Sequence, residues 1–319
     1  MDRRQLVADM GLLLVALIWG FTFVMVQEAV QKWPVFAFLA LRFTIASLAF
    51  LPILLWRRRP GLPRDRGPHP KGRSSRNLLA GALVGLALVA GYSFQTFGLL
   101  FTTPAKAGFI TGLSVVLVPL GAALLLGQPL HLPGGLGVFL ATVGLALLSL
   151  NDDLSVNRGD MLVLLCAASF AAQILLTGRY ARRMSAYRLA AIQIATAAGV
   201  LWILALVFEI PRGLPPLDGQ IAFAAVFTGL LATTLAFLVQ SAAQRFTTAT
   251  HTALLFSLEP VFAALASYLL IGERLGGRAL VGSLLILAGM LCAELGGLWW
   301  TARQRRLDEG LNRLSPETP

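Results

Sequence analysis

Four side chains that can carry charge stand within or beside long apolar runs: Arg42, Lys106, His251 and Glu259. A guanidinium in the middle of an apolar helix costs about 2.5 to 3.5 kcal/mol on membrane-insertion scales, so Arg42 must find partners. It lies nine residues from Trp33, or roughly 13 Å into its run at 1.5 Å per residue. A bound substrate would satisfy it, and so would a structural ion pair or backbone carbonyls. Glu259 is seven residues inside another run and fits a proton-exchanging acid, a partner for a substrate ammonium group, or a permanent bridge to Arg42. Pro260 cannot donate the bond that the Phe256 carbonyl would receive, which predicts a kink beside that carboxylate.

Uncharged groups complete the inventory. Gln95, Gln173, Gln193 and Gln240 put amides where lipid cannot satisfy them, so they face protein or a wet cavity. Trp19, Phe21, Tyr92 and Phe94 offer aromatic walls, with interhelical or lipid-facing packing as the plainer role. No Walker loop, nucleophile elbow or pair of carboxylates at helical spacing within a run is present, so enzyme chemistry is not indicated. Cys166 and Cys292 lie deep in apolar runs without nearby Cys or His partners, which argues against a disulfide framework, a metal site or any cofactor.

The elements that hold these residues follow from composition. Of 319 residues, 57% are apolar and only 13% charged, with a mean hydropathy of +0.76. A soluble domain carries about 25% charge, so the chain reads as an integral membrane protein. The net charge of +11 would suggest nucleic acid in a soluble protein, but here the basic residues fill gaps between apolar runs. Runs of about 20 residues are long enough to span a bilayer. Ten emerge: 10–26, 33–56, 78–101, 107–127, 132–150, 161–178, 189–208, 219–244, 252–272 and 279–298. The breaks at 102–106 and 128–131 are short, and one long tilted helix is the alternative at each.

Basic residues alternate in number between the two sides of such a chain. One side collects 19, eight of them between Arg57 and Arg76; the other collects six, and Arg42 alone lies inside a run. Both termini and the proline-containing loop 57–77 are therefore expected in the cytoplasm. That loop also offers a surface for anionic lipid headgroups.

A displacement of 145 positions lays the end of the first half on the end of the second without a gap. Gln95 falls on Gln240, Thr102-Thr103 on Thr247-Thr248, Gly127 on Gly272 and Gly144 on Gly289. A displacement of 151 lays the second run on the seventh and Arg42 on Gln193. Each unit then has five helices, and an odd number inverts the second copy in the membrane. The expected fold is all-α, ten transmembrane helices as two inverted five-helix repeats around a central cavity. Its domains are 1–156 with the basic loop, 157–300, and a cytoplasmic tail 301–319. Inversion also sets Lys106 and His251, which coincide at 145, at opposite mouths of that cavity. There they suit a carboxylate-bearing substrate; a snorkelling lysine and a helix-capping histidine are the structural alternatives. Gly81 with Gly85 and Gly108 with Gly112 are spaced for close helix packing or sliding.

Trp19-Gly20-Phe21, Arg42, Leu258-Glu259-Pro260-Val261, Gly272-Glu273-Arg274-Leu275, Gly282 and Gly289 carry a resemblance over residues 10–295 to the EamA-type permeases of the drug/metabolite transporter superfamily. The resemblance implies a central substrate cavity, fifth and tenth helices set to the side, and export or exchange of small metabolites, often amino acids. Gly127-Gln128-Pro129-Leu130 lacks the acid of its counterpart, Glu273. The expected function is thus secondary transport of a small metabolite by alternating access in the cell inner membrane. The substrate, lipid and protons are its partners, nucleic acid is not, and a homodimer is compatible with it. A lipid scramblase or an assembly subunit, neither of which transports a metabolite, is the rival class. With Cys166 and Cys292 replaced, a thiol introduced at Ser74 is expected to resist an impermeant reagent in intact cells and to react once they are opened. Labelling in intact cells would reverse the orientation.

Overall fold

The structure, a computed structural model, describes residues 3–52, 74–126, 132–149, 157–292 and 296. All regular structure among these residues is helical, as expected where a backbone in lipid must satisfy its own polar groups. Seven helical segments are long and apolar enough to cross a membrane, and three more are shorter apolar helices. They form α1 (Arg3–Lys32), α2 (Val35–Ala49), α3 (Ser74–Gly98), α4 (Pro104–Gly112), α5 (Ser114–Leu126), α6 (Leu132–Ser149) and α7 (Arg158–Ala181). After these come α8 (Ala186–Phe208), α9 (Gly219–Gly229), a π-helical turn (Leu230–Leu235), α10 (Ala236–Ala243), α11 (Ala249–Phe256), α12 (Glu259–Ile271) and α13 (Gly277–Cys292). The chain is a multi-pass membrane protein.

Helix starts are set by short polar side chains. Asn157, Ser185 and Asp218 cap α7, α8 and α9. The repeated Thr-Thr pairs serve the same purpose. Thr103 accepts a hydrogen bond from the Lys106 amide at the start of α4, and Thr248 accepts one from the His251 amide at the start of α11. A side-chain oxygen there satisfies an N–H that lipid would leave bare. The break expected near residues 102–106 is therefore real; the one at 128–131, the 127–130 motif, most of the basic loop and the tail 301–319 lie outside the described residues.

The kink expected at Pro260 is a full interruption. The chain leaves α11 at Phe256 and begins α12 at Glu259, with Pro260 in the first turn where its missing N–H costs nothing. A second interruption separates α4 from α5 at Leu113, exactly 145 positions before Leu258. α12 ends on Gly272, whose φ of 67° is left-handed backbone that a Cβ would strain.

Glycines let these helices meet at backbone distance. A Cβ on Gly81 would lie 2.5 Å from Ile192 Cγ2, and one on Gly85 2.7 Å from the Gln193 carbonyl, so α3 lies directly on α8. Gly108 and Gly112 set α4 on α12 in the same way, against Ala263 and Pro260. α6 and α13 meet backbone to backbone at two glycine pairs: a Cβ on Gly144 would be 2.6 Å from the Gly282 carbonyl, and one on Gly289 2.6 Å from the Gly137 carbonyl. Gly282→Leu is accordingly expected to lower stability by about 1–3 kcal/mol or more through overpacking, read as a lower melting temperature in detergent. Gly135→Leu, where nothing lies within 4 Å, is expected to leave it unchanged.

Candidate functional site

Between the helices lies a narrow cavity whose non-atom space, its open mouth included, is about 640 Å³. Its wall is built from residues that coincide in pairs. Tyr92 and Phe237, Gln95 and Gln240, Thr111 and Phe256, and Ser114 and Glu259 each differ by 145 positions. Trp19 and Phe170, Thr22 and Gln173, and Phe23 and Ile174 each differ by 151. Both helix interruptions open onto this space, since Gly112 and Ser114 flank one and Phe256 and Glu259 the other. Non-helical backbone at such depth is tolerated where it lines a cavity.

Arg42 is the centre of the polar wall and is only 2% exposed. Its Nε donates to Thr233 Oγ1 at 2.8 Å, and its Nη2 donates to Tyr92 Oη at 3.2 Å and to the Ala232 carbonyl at 3.5 Å. The guanidinium carbon also sits 4.5 Å from the Tyr92 ring centre, a cation–π distance. Nη1 has no hydrogen-bond partner among the described residues. Glu259, 8% exposed, faces the same cavity from the first turn of α12. The bridge between Arg42 and Glu259 that the sequence allows is not formed, and no described side chain donates to the Glu259 carboxylate.

Aromatic rings enclose the polar groups. Trp19 packs on Phe237 and Phe256 with ring centres 5.5 and 4.9 Å apart, while its Nε1 donates to the Ala232 carbonyl at 2.8 Å. Tyr92 meets Phe43 and Phe170 edge-on, each at 5.2 Å. Phe21 and Phe94 do not line the cavity. The amides gather at one side of it. Gln173 and Gln240 exchange hydrogen bonds of 3.3 and 3.1 Å, and Gln173 also donates to Gln193 at 3.2 Å. Gln193 stands behind the wall and donates on to Ser241. Gln95 donates to Thr111 across the other side.

Lys106 and His251 do not reach the cavity. They stand in the first turns of α4 and α11, toward opposite ends of the bundle. His251 Nε2 lies 3.0 Å from Asp9 Oδ1 on α1. At the Lys106 end, Glu273 accepts from the Ala105 amide at 3.3 Å, and Thr102 Oγ1 donates to Asp160 on α7. Glu209 accepts from the Phe36 and Ala37 amides at 2.9 and 2.8 Å and so caps α2.

A match to the model of the EamA-like transporter family covers residues 6–150 and again 157–294. The chain belongs to the EamA-like transporter family. This EamA-like protein is 34% identical over 293 residues to an uncharacterized transporter of Archaeoglobus fulgidus, covering 92% of this chain and 87% of that one. It is 23% identical over 289 residues to an uncharacterized transporter of Bacillus subtilis, covering 88% and 94% of the two chains. A solved crystal structure that is 22% identical superposes with a TM-score of 0.64 over 90% of this chain and 96% of its own, a likeness of fold alone.

Sequence reasoning passed over Phe170, Phe237, Asp9, Asp160 and Thr233. The 151 displacement, carried back to the first helix, places Asp9-Met10 on Asp160-Met161 and Trp19 on Phe170, which would have found four of them once Phe237 is read opposite Tyr92. Thr233 gives no such signal, because its importance comes from a helical irregularity. Gln240→Met is expected to leave the Gln173 amide short of partners and to destabilise the protein by about 1 kcal/mol. Thermal unfolding in detergent reads this, and an unchanged transition would mean that water already satisfies Gln173.

Proposed function

We propose that this EamA-like protein is a secondary transporter of a small zwitterionic metabolite such as an amino acid, working by alternating access across the cell inner membrane. The observation that carries this reading is that Arg42 and Glu259 face one cavity without bridging each other. Two opposite charges left apart in a space lined by aromatic rings suit a ligand with a carboxylate, an ammonium group and an apolar body. Trp19, Tyr92, Gln95, Gln173 and Gln240 complete its surroundings, and Gln193 holds Gln173 in place.

In this reading ten transmembrane helices form two inverted five-helix repeats, with domains at 1–156 and 157–300, and both termini and the tail 301–319 are cytoplasmic. The double family match and the pairing of cavity residues across the two halves support it. Two packings related by inversion exchange, and the cavity opens to each side in turn. The direction is outward or by exchange. Lys106 and His251, near opposite ends, guard the two mouths, His251 through its contact with Asp9. Glu259 takes either the ammonium group or a coupling proton.

Glu259→Gln separates these last two roles in proteoliposomes at matched incorporation. If Glu259 carries the proton, proton-driven transport is lost by more than about tenfold while substrate counterflow persists; if it holds the ammonium group, both fall together. Transport unchanged at every pH in a well-folded variant would remove Glu259 from the mechanism. Absence of saturable counterflow by the wild type across a broad metabolite panel would favour a scramblase or an assembly subunit.

A further inference from the structure

The helical run 219–243 contains a π-turn at Leu230–Leu235, and three features of that turn converge on Arg42. π-turns are rare, widen a helix by one residue, and collect at functional sites. The widened spacing is visible in the side chains: Thr228 donates back four residues to Ala224, but Thr233 and Thr234 donate back five, to the carbonyls of Thr228 and Gly229.

Thr233 has one hydroxyl proton and gives it to Thr228 at 2.9 Å. Its oxygen is thereby restricted to accepting toward Arg42, and it receives the Nε proton at 2.8 Å. The Ala232 carbonyl from the same turn receives Trp19 Nε1 and Arg42 Nη2. Gly229, at the entrance to the turn, allows the approach: a Cβ there would lie 2.9 Å from the Arg42 carbonyl oxygen. Arg42, which lines the cavity, is thus held along its Nε and Nη2 edge, and Nη1 is left without a partner among the described residues.

We propose that the π-turn is the seat of Arg42, with Thr233 as the positioning residue that turns the guanidinium's free edge into the cavity and makes the cavity select for an anionic group. The inference rests on the proposed role of Arg42 toward substrate and adds how that role is imposed. An arginine with all its donors satisfied by protein would hold helices together but offer a ligand little; this one is fastened on one edge only.

The test uses two probes that fit an aromatic-walled cavity and differ in charge, benzoate and benzamide, titrated against the purified full-length protein in detergent. The wild type is expected to bind benzoate at least tenfold more tightly than benzamide. Thr233→Val is expected to lower benzoate affinity by about tenfold or more and leave benzamide within about twofold, whereas Thr233→Ser keeps the preference. Thr234→Val removes the same kind of bond from the same turn without touching Arg42, so it should keep the preference as well. If Thr233→Val does not fold, Thr233→Ala gives the same comparison. A wild type without preference for benzoate would overturn the proposal. So would a Thr233 variant that keeps the preference or loses both probes equally, or a Thr234→Val variant that loses it. Binding is read without transport, so a wild type that selects benzoate yet moves no metabolite would end the transport reading and leave the seat standing.

Discussion

A guanidinium cannot lose its charge at any pH a cell meets, so a bundle that buries Arg42 must supply everything water would have supplied. Much of the architecture around the cavity answers that demand. Tyr92 brings a hydroxyl and the face of its ring from α3, Thr233 brings an oxygen from the π-turn, and the Ala232 carbonyl comes from the same backbone. Trp19 on α1 shares that carbonyl. Four separate stretches of chain therefore meet at one side chain, and the rings of Phe237 and Phe256 close around the meeting point.

The same demand for satisfied polar groups accounts for the other half of the wall. Amides that lipid would leave bare bond to each other, and Gln173 links α7 to Gln193 on α8 and Gln240 on α10. The helix interruptions at Leu113 and Leu258 fall at equivalent positions of the two halves, and Ser114 and Glu259, just after them, line the cavity. Only the second copy carries an acid there, so a site framed by two similar halves becomes polar in one direction. Arg42 falls on Gln193 at the displacement of 151, which makes the opposite charge unique as well.

Most of this organisation was legible in the chain because lipid punishes polar atoms in a way that a reader of sequence can count. Helix positions follow the apolar runs, and the residues that interrupt those runs, Arg42, Glu259 and the glutamines, are largely the ones that face the cavity. The proposed gates were less legible: Lys106 and His251 align in sequence, but both stand in first turns capped by Thr103 and Thr248 and do not line the cavity. The π-turn was not legible at all. LLATTL is ordinary apolar helix by composition, and nothing in it marks the extra residue that lies beside Gly229, where α2 comes to backbone distance.

The contact between α6 and α13 has a mechanical meaning of its own. Where Gly144 meets Gly282 and Gly137 meets Gly289, the two backbones approach so closely that a Cβ on Gly144, Gly282 or Gly289 would overlap main-chain atoms of the facing helix. Sliding one helix along the other drives a neighbouring side chain into main-chain atoms, and parting them opens a void. A movement of the bundle that leaves this joint intact therefore carries α6 and α13 together as one body.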